Sequence, residues 1–448
     1  MGTVARRESL GRAELEKLVA LALDEARQLG ADQAEAAVTQ DMGLSVTARL
    51  GEVESLEYTN DRGIGITVFK DSRKGNASTS ELSPGAIREA VAKAVSFANV
   101  TAQDEYSGLA DAALMCKTVV DLDLDHPWDI GADDAVALAI DCEKAGLDVD
   151  KRVGNSEGAT VSTNRGIRAY GNSHGFTGSF SKTSHHITCV LLAEQDGVMQ
   201  RDYHYTAARC ADEMEEAVAV GRRAARKTVD RLGAQKIKTT RAPVLFDPEV
   251  ARGFIGHAIG AIAGGAQYRR SSFLLDAAGE KLFPDFVSIE ERPHLRRGMA
   301  SASYDSEGVG TYDRDIVKDG VLQAYVLSSY SARRLGLETT ANAGGAQNLI
   351  VPGSDKDRDA LIREMGTGLV VMELIGHGVN GVTGDYSRGA VGLWVENGEI
   401  AHPVHEVTIA GNLRDPYQRI VAIGSDQDLR SGIRCGSILV DEMTIAGA

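Results

Sequence analysis

Apolar positions follow two periods along the chain. Leu15, Leu18, Val19, Ala22, Ala26 and Leu29 recur at three- and four-residue intervals, which lines one face of an α-helix, and Gly30 follows as a stop. Short apolar runs come next, at 34–38, 44–50, 53–58 and 64–69, each bounded by Gly, Asp or Asn as the strands of a meander are. Ser83-Pro84 then opens a helix through Ile87, Val91 and Val95, with proline in the first turn where its missing N–H is no loss. A helix over 133–144, runs at 159–162, 167–170, 176–180 and 187–192, and a helix over 212–232 repeat that order. The last helix starts acidic (Asp212, Glu213, Glu215, Glu216) and ends basic (Arg222, Arg223, Arg226, Lys227), as its macrodipole favours. The phrase Thr-Asn-Arg-Gly-Ile, with one Asp inserted in the first copy, stands at Thr59 and at Thr163 and points to a duplicated helix–meander–helix unit.

Residues 233–243 are polar and basic and read as a linker, so domains are expected at 1–235 and 236–448. Beyond the linker the pattern becomes glycine-rich and strand-like, with short helices near 248–262 and 354–365. Glycine is densest over 365–413, and such density marks turns, bulges or close approach of another backbone. Within it Val391, Leu393 and Val395 alternate up to Glu396-Asn397-Gly398-Glu399, and apolar positions resume at Ile400, Val404, Val407 and Ile409. Asn-Gly between apolar alternations predicts a hairpin. The expected fold is α+β: an N-terminal helix–meander–helix domain with a mixed sheet, and a glycine-rich, β-dominated C-terminal domain.

Charge narrows the partners. Among 448 residues, 64 are acidic and 48 basic, a formal net of -16. That balance argues against a nucleic-acid groove and gives an anionic membrane no general attraction. The pairs Arg222-Arg223 and Arg296-Arg297 read as solvated faces. The opening MGTVARRESLGRAELEK has no apolar leader core, and no apolar stretch is long enough to span a bilayer, so a soluble, cytoplasmic protein is expected. Five cysteines (116, 142, 189, 210 and 435) lack CxxC spacing, which predicts buried free thiols rather than a zinc knuckle or redox pair.

Candidate chemistry is sparse. His402-Pro403-Val404-His405-Glu406 contains HxxH, but strand geometry sends those rings to opposite faces and Pro403 forbids a helix interior, so a solvated strand edge is expected. His185 and His186 diverge in the same way. His377 lies between Gly376 and Gly378. A metal site built from His377, His402 and His405 is the remaining enzymatic alternative. There is no Gly-x-Ser-x-Gly elbow, and Ser387 beside Asp385 and Arg388 reads as a side-chain-stabilised turn. The glycines at 260–265 and at Gly308-Val309-Gly310 match neither a Walker loop nor a complete dinucleotide fingerprint.

Several longer phrases recur in order: Tyr58-Thr59-Asn60-Asp61-Arg62-Gly63-Ile64-Gly65, Ala77-Ser78-Thr79-Ser80-Glu81-Leu82-Ser83-Pro84, Tyr304-Asp305-Ser306-Glu307-Gly308-Val309, Tyr330-Ser331-Ala332-Arg333-Arg334-Leu335-Gly336 and Asp441-Glu442-Met443-Thr444-Ile445-Ala446-Gly447. With the block at 365–413 they resemble the TldD/PmbA family of metallopeptidase-related proteins, in its PmbA (TldE) branch. The resemblance implies that the catalytic branch carries HExxxH on a helix just after the linker, two histidines holding zinc and the glutamate acting as general base. Here the equivalent segment is 253–265. His257 takes the first histidine position, Ala258 the glutamate and Ile262 the second histidine, and no other His or Glu lies between Ala251 and Glu280. Cys435, in Arg434-Cys435-Gly436-Ser437, resembles a feature of the PmbA branch rather than the catalytic branch's cysteine ligand. Catalytic residues and metal ligands are therefore assigned to none, with His257 a vestigial position.

The resemblance further implies a non-catalytic subunit of a cytosolic complex with a TldD-type zinc subunit, acting on unfolded or short peptides. Zinc is expected in that partner, and neither nucleic acid nor membrane as a ligand. His377, Asp385, Tyr386 and Arg388 are the chamber or interface candidates. The alternative is a stand-alone protein-binding regulator of the gyrase-modulator kind.

Overall fold

The computed structural model describes residues 10–447; residues 1–9, part of the stretch read above as lacking a leader's apolar core, and Ala448 lie outside the described residues. The first half begins with α1 (Arg12–Gln28), which turns Leu15, Val19, Ala22 and Ala26 inward. Strands β1 (Gln33–Arg49), β2 (Glu52–Lys70) and β3 (Arg73–Thr79) and helix α2 (Pro84–Val100) follow. The order then recurs with α3 (Ala132–Leu147), β4 (Val153–Asn172), β5 (Thr177–Gln195), β6 (Val198–Ala208) and α4 (Ala217–Val229).

These strands form one six-stranded sheet, β3-β2-β1-β4-β5-β6, with the first strand of each triplet meeting at the centre. Every pairing in it is antiparallel, which corrects the mixed sheet expected from the sequence. Within each triplet the cause is local: the strands are joined by tight turns, and a parallel neighbour would need a crossover of a dozen residues or more. The expected short runs also fuse. The runs at 34–38 and 44–50 are two halves of β1, and those at 53–58 and 64–69 two halves of β2. Gly43 stays in the ladder between Thr59 on one side and Asn164 on the other, where an added Cβ would sit 2.8 Å from the Thr163 carbonyl oxygen. The two Thr-Asn-Arg-Gly-Ile phrases thus flank β1, on the second strand of one triplet and the first strand of the other, so they do not occupy equivalent places in the recurring order. The last helix is shorter than expected. Ala211–Glu213 forms a 3-10 turn, and the α-helix starts only at Ala217.

The second half opens with β7 (Thr240–Phe246), α5 (Pro248–Ala261) and α6 (Gly264–Tyr268). It continues through β8 (Ile289–Glu291), β9 (Arg314–Lys318), β10 (Val321–Leu322), α7 (Ser329–Leu335), β11 (Leu349–Ile350) and α8 (Arg358–Met365). Then come β12 (Gly368–Ile375), β13 (Asp385–Glu396), β14 (Glu399–Asn412), α9 (Arg414–Gln418), β15 (Ile420–Ile423), β16 (Ile433–Arg434) and β17 (Ile438–Ala446). The order β14-β13-β12-β7-β17 closes on itself because β14 also pairs with β17, from Thr408↔Ala446 to Ala410↔Thr444, giving a small barrel. Parallel pairing is found in this half, between β7 and β12 and between β11 and β16. Asn397 and Gly398 both have positive φ, as a two-residue I′ turn between β13 and β14 requires. Val244, Phe246, Leu369, Val371, Tyr386 and Ile409 fill the barrel's core, each large side chain contributing about 1.5–3 kcal/mol on burial. Among the described residues no helix is long and apolar enough to cross a membrane.

Candidate functional site

Pro248 starts α5 in the first turn, behind Asp247, whose carboxylate takes the Arg358 guanidinium (Nε–Oδ1 2.5 Å). One face of α5 is fixed to the barrel. Phe254 stacks on Phe246 (centroids 5.0 Å apart) and meets Tyr417 (4.8 Å), whose hydroxyl donates to the Phe254 carbonyl at 2.9 Å. Ala258 belongs to that buried face, as does Ile262 just past the helix end. Gly256, His257 and Gly260 instead border a cavity of ≈ 420 Å³, whose far wall is the glycine loop from Gly376 to Gly381 and Arg388 on β13.

The structure therefore brings together His257, His377 and Arg388, with Tyr386 directly behind. The Tyr386 ring stands against His257 with centroids 6.1 Å apart and planes at 70°. Arg388 donates Nη2 to the Leu374 carbonyl oxygen at 3.1 Å, while its Nε and the Tyr386 hydroxyl are buried without a hydrogen-bond partner. Burial, and then the Arg388 charge, push the His257 imidazole below its ordinary pKa, so it is neutral at pH 7. Burial pushes the Tyr386 phenol up to about 12, against the opposing pull of Arg388.

Asp385 does not join them. It is exposed, accepts from the Thr383 hydroxyl at 2.6 Å and from Asn412 Nδ2 at 3.4 Å, and so ties down the turn that leads into β13. The glycine loop serves the chain's own backbone in part: a Cβ on Gly378 would fall 1.6 Å from the Ser387 carbonyl oxygen. At Gly376 and Gly381, by contrast, a Cβ would meet nothing within 4 Å.

Zinc of the family type does not fit these residues. Ala258 and Ile262 are 4% and 2% exposed inside the apolar core, with no donor atom to offer. His257 is left as one neutral imidazole next to a guanidinium. Cys435 is buried, its thiol donates to the Gly436 carbonyl at 3.0 Å, and burial pushes its pKa up, away from the thiolate a metal needs. Among the described residues no group of three or more His, Cys, Asp or Glu is placed to hold a metal ion.

The other sequence candidates are accounted for structurally. His402 and His405 are half-buried on β14, where Gln235 covers the strand (Gln235 N–H to Pro403 O, 2.9 Å), which corrects the solvated edge expected there. His185 is buried between the Thr163 hydroxyl and the His126 carbonyl, each at 2.9 Å. All five cysteines are free; Cys142, Cys189 and Cys435 are buried, while Cys116 and Cys210 are only half-buried. A larger cavity, ≈ 600 Å³, lies between the sheet and residues 119–125, but its Arg165 is already neutralised by Asp125 through two bonds (2.9 and 2.7 Å). Sequence reasoning missed Phe273 and the glycine pair Gly256/Gly260. The pair's signal was present, since glycines four apart on a helix leave one face bare.

An antiparallel sheet flanked by helices, joined to a small closed barrel that carries a helix-walled cavity, defines a two-part α+β protein. The chain belongs to the PmbA/TldD metallopeptidase family, as a PmbA-type member: the family's domain 1 matches residues 34–98, the PmbA/TldA metallopeptidase central domain 125–232, and the PmbA/TldA metallopeptidase C-terminal domain 239–447. Metalloprotease PmbA of Escherichia coli O157:H7 is 48% identical over 97% of each chain. The structure of a Bacteroides thetaiotaomicron protein described as a candidate modulator of a DNA gyrase superposes with a TM-score of 0.92 at 26% identity, over 97% of this chain and 99% of that one. TldE from Thermococcus kodakarensis shares the fold, with a TM-score of 0.83 at 19% identity over 96% of this chain and 99% of that one.

Proposed function

We propose that the chain is the zinc-free subunit of a cytoplasmic two-subunit metallopeptidase, pairing with a TldD-type chain that carries the zinc. Together they would enclose unfolded or short peptides. One observation carries this reading: the helix on which the catalytic branch needs two histidines and a glutamate presents His257 alone, with Ala258 and Ile262 buried in the core. A single neutral imidazole supplies one of the three or more protein ligands that a zinc site uses. The partner's metal would polarise the scissile carbonyl. This chain would supply chamber wall and strand edges, which read an extended peptide through its backbone and so tolerate many sequences.

The test is to purify the chain alone and with a TldD-type partner, and to measure zinc, particle size and cleavage of short peptides. The chain alone is expected to carry no stoichiometric zinc and to cleave nothing; the pair is expected to co-elute and to cleave in a chelator-sensitive way. Chelator-sensitive cleavage by the chain alone overturns the proposal. A stand-alone docking protein is the second reading, favoured by the description of the Bacteroides relative; it gains if no complex forms with any TldD-type chain.

A further inference from the structure

We propose that the cavity between α5 and the 376–381 loop binds the terminal carboxylate of a short peptide, with Arg388 as its counter-charge. A guanidinium offers five N–H donors, and Arg388 uses one of them, on the Leu374 carbonyl. Among the described residues no carboxylate lies within ion-pair distance of it, whereas Arg165 in the larger cavity is fully paired with Asp125. A half-buried cation with spare donors and no counter-ion is costly unless something anionic arrives to meet it. The buried, unpartnered Tyr386 hydroxyl and the neutral His257 imidazole lie beside it, and His377 lines the same space.

Shape supports a ligand of this size. Gly256 and Gly260 stand one helical turn apart on the open side of α5, and a Cβ on Gly260, Gly376 or Gly381 would meet no atom within 4 Å. The volume of ≈ 420 Å³ falls in the roughly 300–1,000 Å³ range of small-ligand sites and is far too small for a folded partner. Phe273, Ala261, Ala266 and Val379 give the walls an apolar part for a terminal side chain. Charge selects a carboxylate over a phosphate: Arg388 is the single cation among the lining residues, which suits one planar monoanion better than a dianion with three oxygens to satisfy. The choice of a peptide as bearer of the carboxylate rests on the proposed function; the charge and the shape do not.

The experiment uses the intact chain without partner or metal. Calorimetry at pH 7 compares N-acetyl-trialanine, its C-terminal amide and inorganic phosphate. The acid is expected to bind and the amide to bind at least tenfold more weakly. Arg388→Gln should erase that difference and Arg388→Lys should restore part of it. Gly260→Leu, which leaves the charge untouched and fills the space, should weaken the acid at least tenfold while the circular dichroism spectrum is unchanged. Absence of acid binding, equal binding of acid and amide, discrimination that survives Arg388→Gln, or phosphate displacing the acid at equal affinity each overturns the proposal. None of these outcomes bears on zinc content or complex formation, so the proposed function stands or falls separately.

Discussion

The Tyr386 ring stands edge-on to the His257 imidazole, with centroids 6.1 Å apart and planes at 70°. His257 is thus held by an aromatic contact on one side and faces the Arg388 cation on another, which is the charge a Zn²⁺ ion would be repelled by. Its place is in the wall of the cavity, with Gly256 and Gly260 to either side on the same helix.

From this it follows that His257→Ala should leave the zinc content of a complex with a TldD-type partner unchanged, as read by metal analysis of the purified pair. Substituting the partner's own histidines should remove the metal. Loss of zinc on His257→Ala would show that the imidazole ligates across the interface.

Gly260 gives a prediction with two opposed readouts. An added Cβ there meets open space, and the backbone is ordinary helix. Replacing it with leucine should therefore raise stability by roughly 0.5–1 kcal/mol in chemical denaturation, from helix propensity alone. A stabilised protein that no longer binds in the cavity separates occupancy of space from damage to the fold. A loss of stability would show instead that the wall is already packed.

Much of the fold was legible where local chemistry decides it. The α1 stripe, the Ser83 cap that accepts from the Ala86 amide ahead of α2, and the Asn397-Gly398 turn all carry their signal within a few residues. Strand continuity was not legible. Gly43 and Asn60-Asp61-Arg62-Gly63 read as breaks, yet the pairing of β1 with β2 and β4 carries the ladder through all of them. Barrel closure rests on Thr408↔Ala446 and its neighbours, pairings too distant in the chain to leave a local trace. The grouping of the candidate residues in space was partly legible. Glycine density and family motifs singled out His257, His377, Tyr386 and Arg388, which do converge; Asp385 was grouped with them by sequence proximity, and alternation along β13 sends it to the surface turn instead.

Arg231 ties the two halves of the molecule. Its Nε meets Asp202 on β6 at 2.7 Å and its Nη1 meets Glu373 on β12 at 2.6 Å, and Asp202 is 1% exposed. Removing the guanidinium leaves a buried carboxylate with the Tyr203 amide at 2.6 Å and Lys227 as its nearest remaining ion-pair partner, at 3.7 Å. Arg231→Ala is expected to cost about 3 kcal/mol, at the lower end for a broken buried pair because that lysine remains. Thermal or denaturant unfolding checks it, and a change within ~0.5 kcal/mol would place the pair among surface-like ion pairs.

His185 supplies the pH dependence. Burial, foremost, lowers its pKa from 6.5, with the His126 and Arg209 charges adding to the effect against two backbone hydrogen bonds that oppose it. Below pH 6.5 the unfolded chain therefore binds a proton that the folded chain refuses. Stability conferred by this group is complete above that pH and falls as pH drops toward the lowered folded value, by up to ~1.4 kcal/mol per pH unit. Asp305 acts with the opposite sign, since burial pushes its carboxyl up to about 7 and the folded state keeps a proton that the unfolded state has lost, so stability there declines as pH rises from 3.8 to 7. The comparison is accordingly between the native chain and His185→Gln rather than along one curve. The variant's unfolding free energy should fall less steeply between pH 6.5 and 5 than the native chain's. Parallel slopes would mean that the buried ring, held between Thr163 and the His126 carbonyl, takes up its proton as readily as one in water.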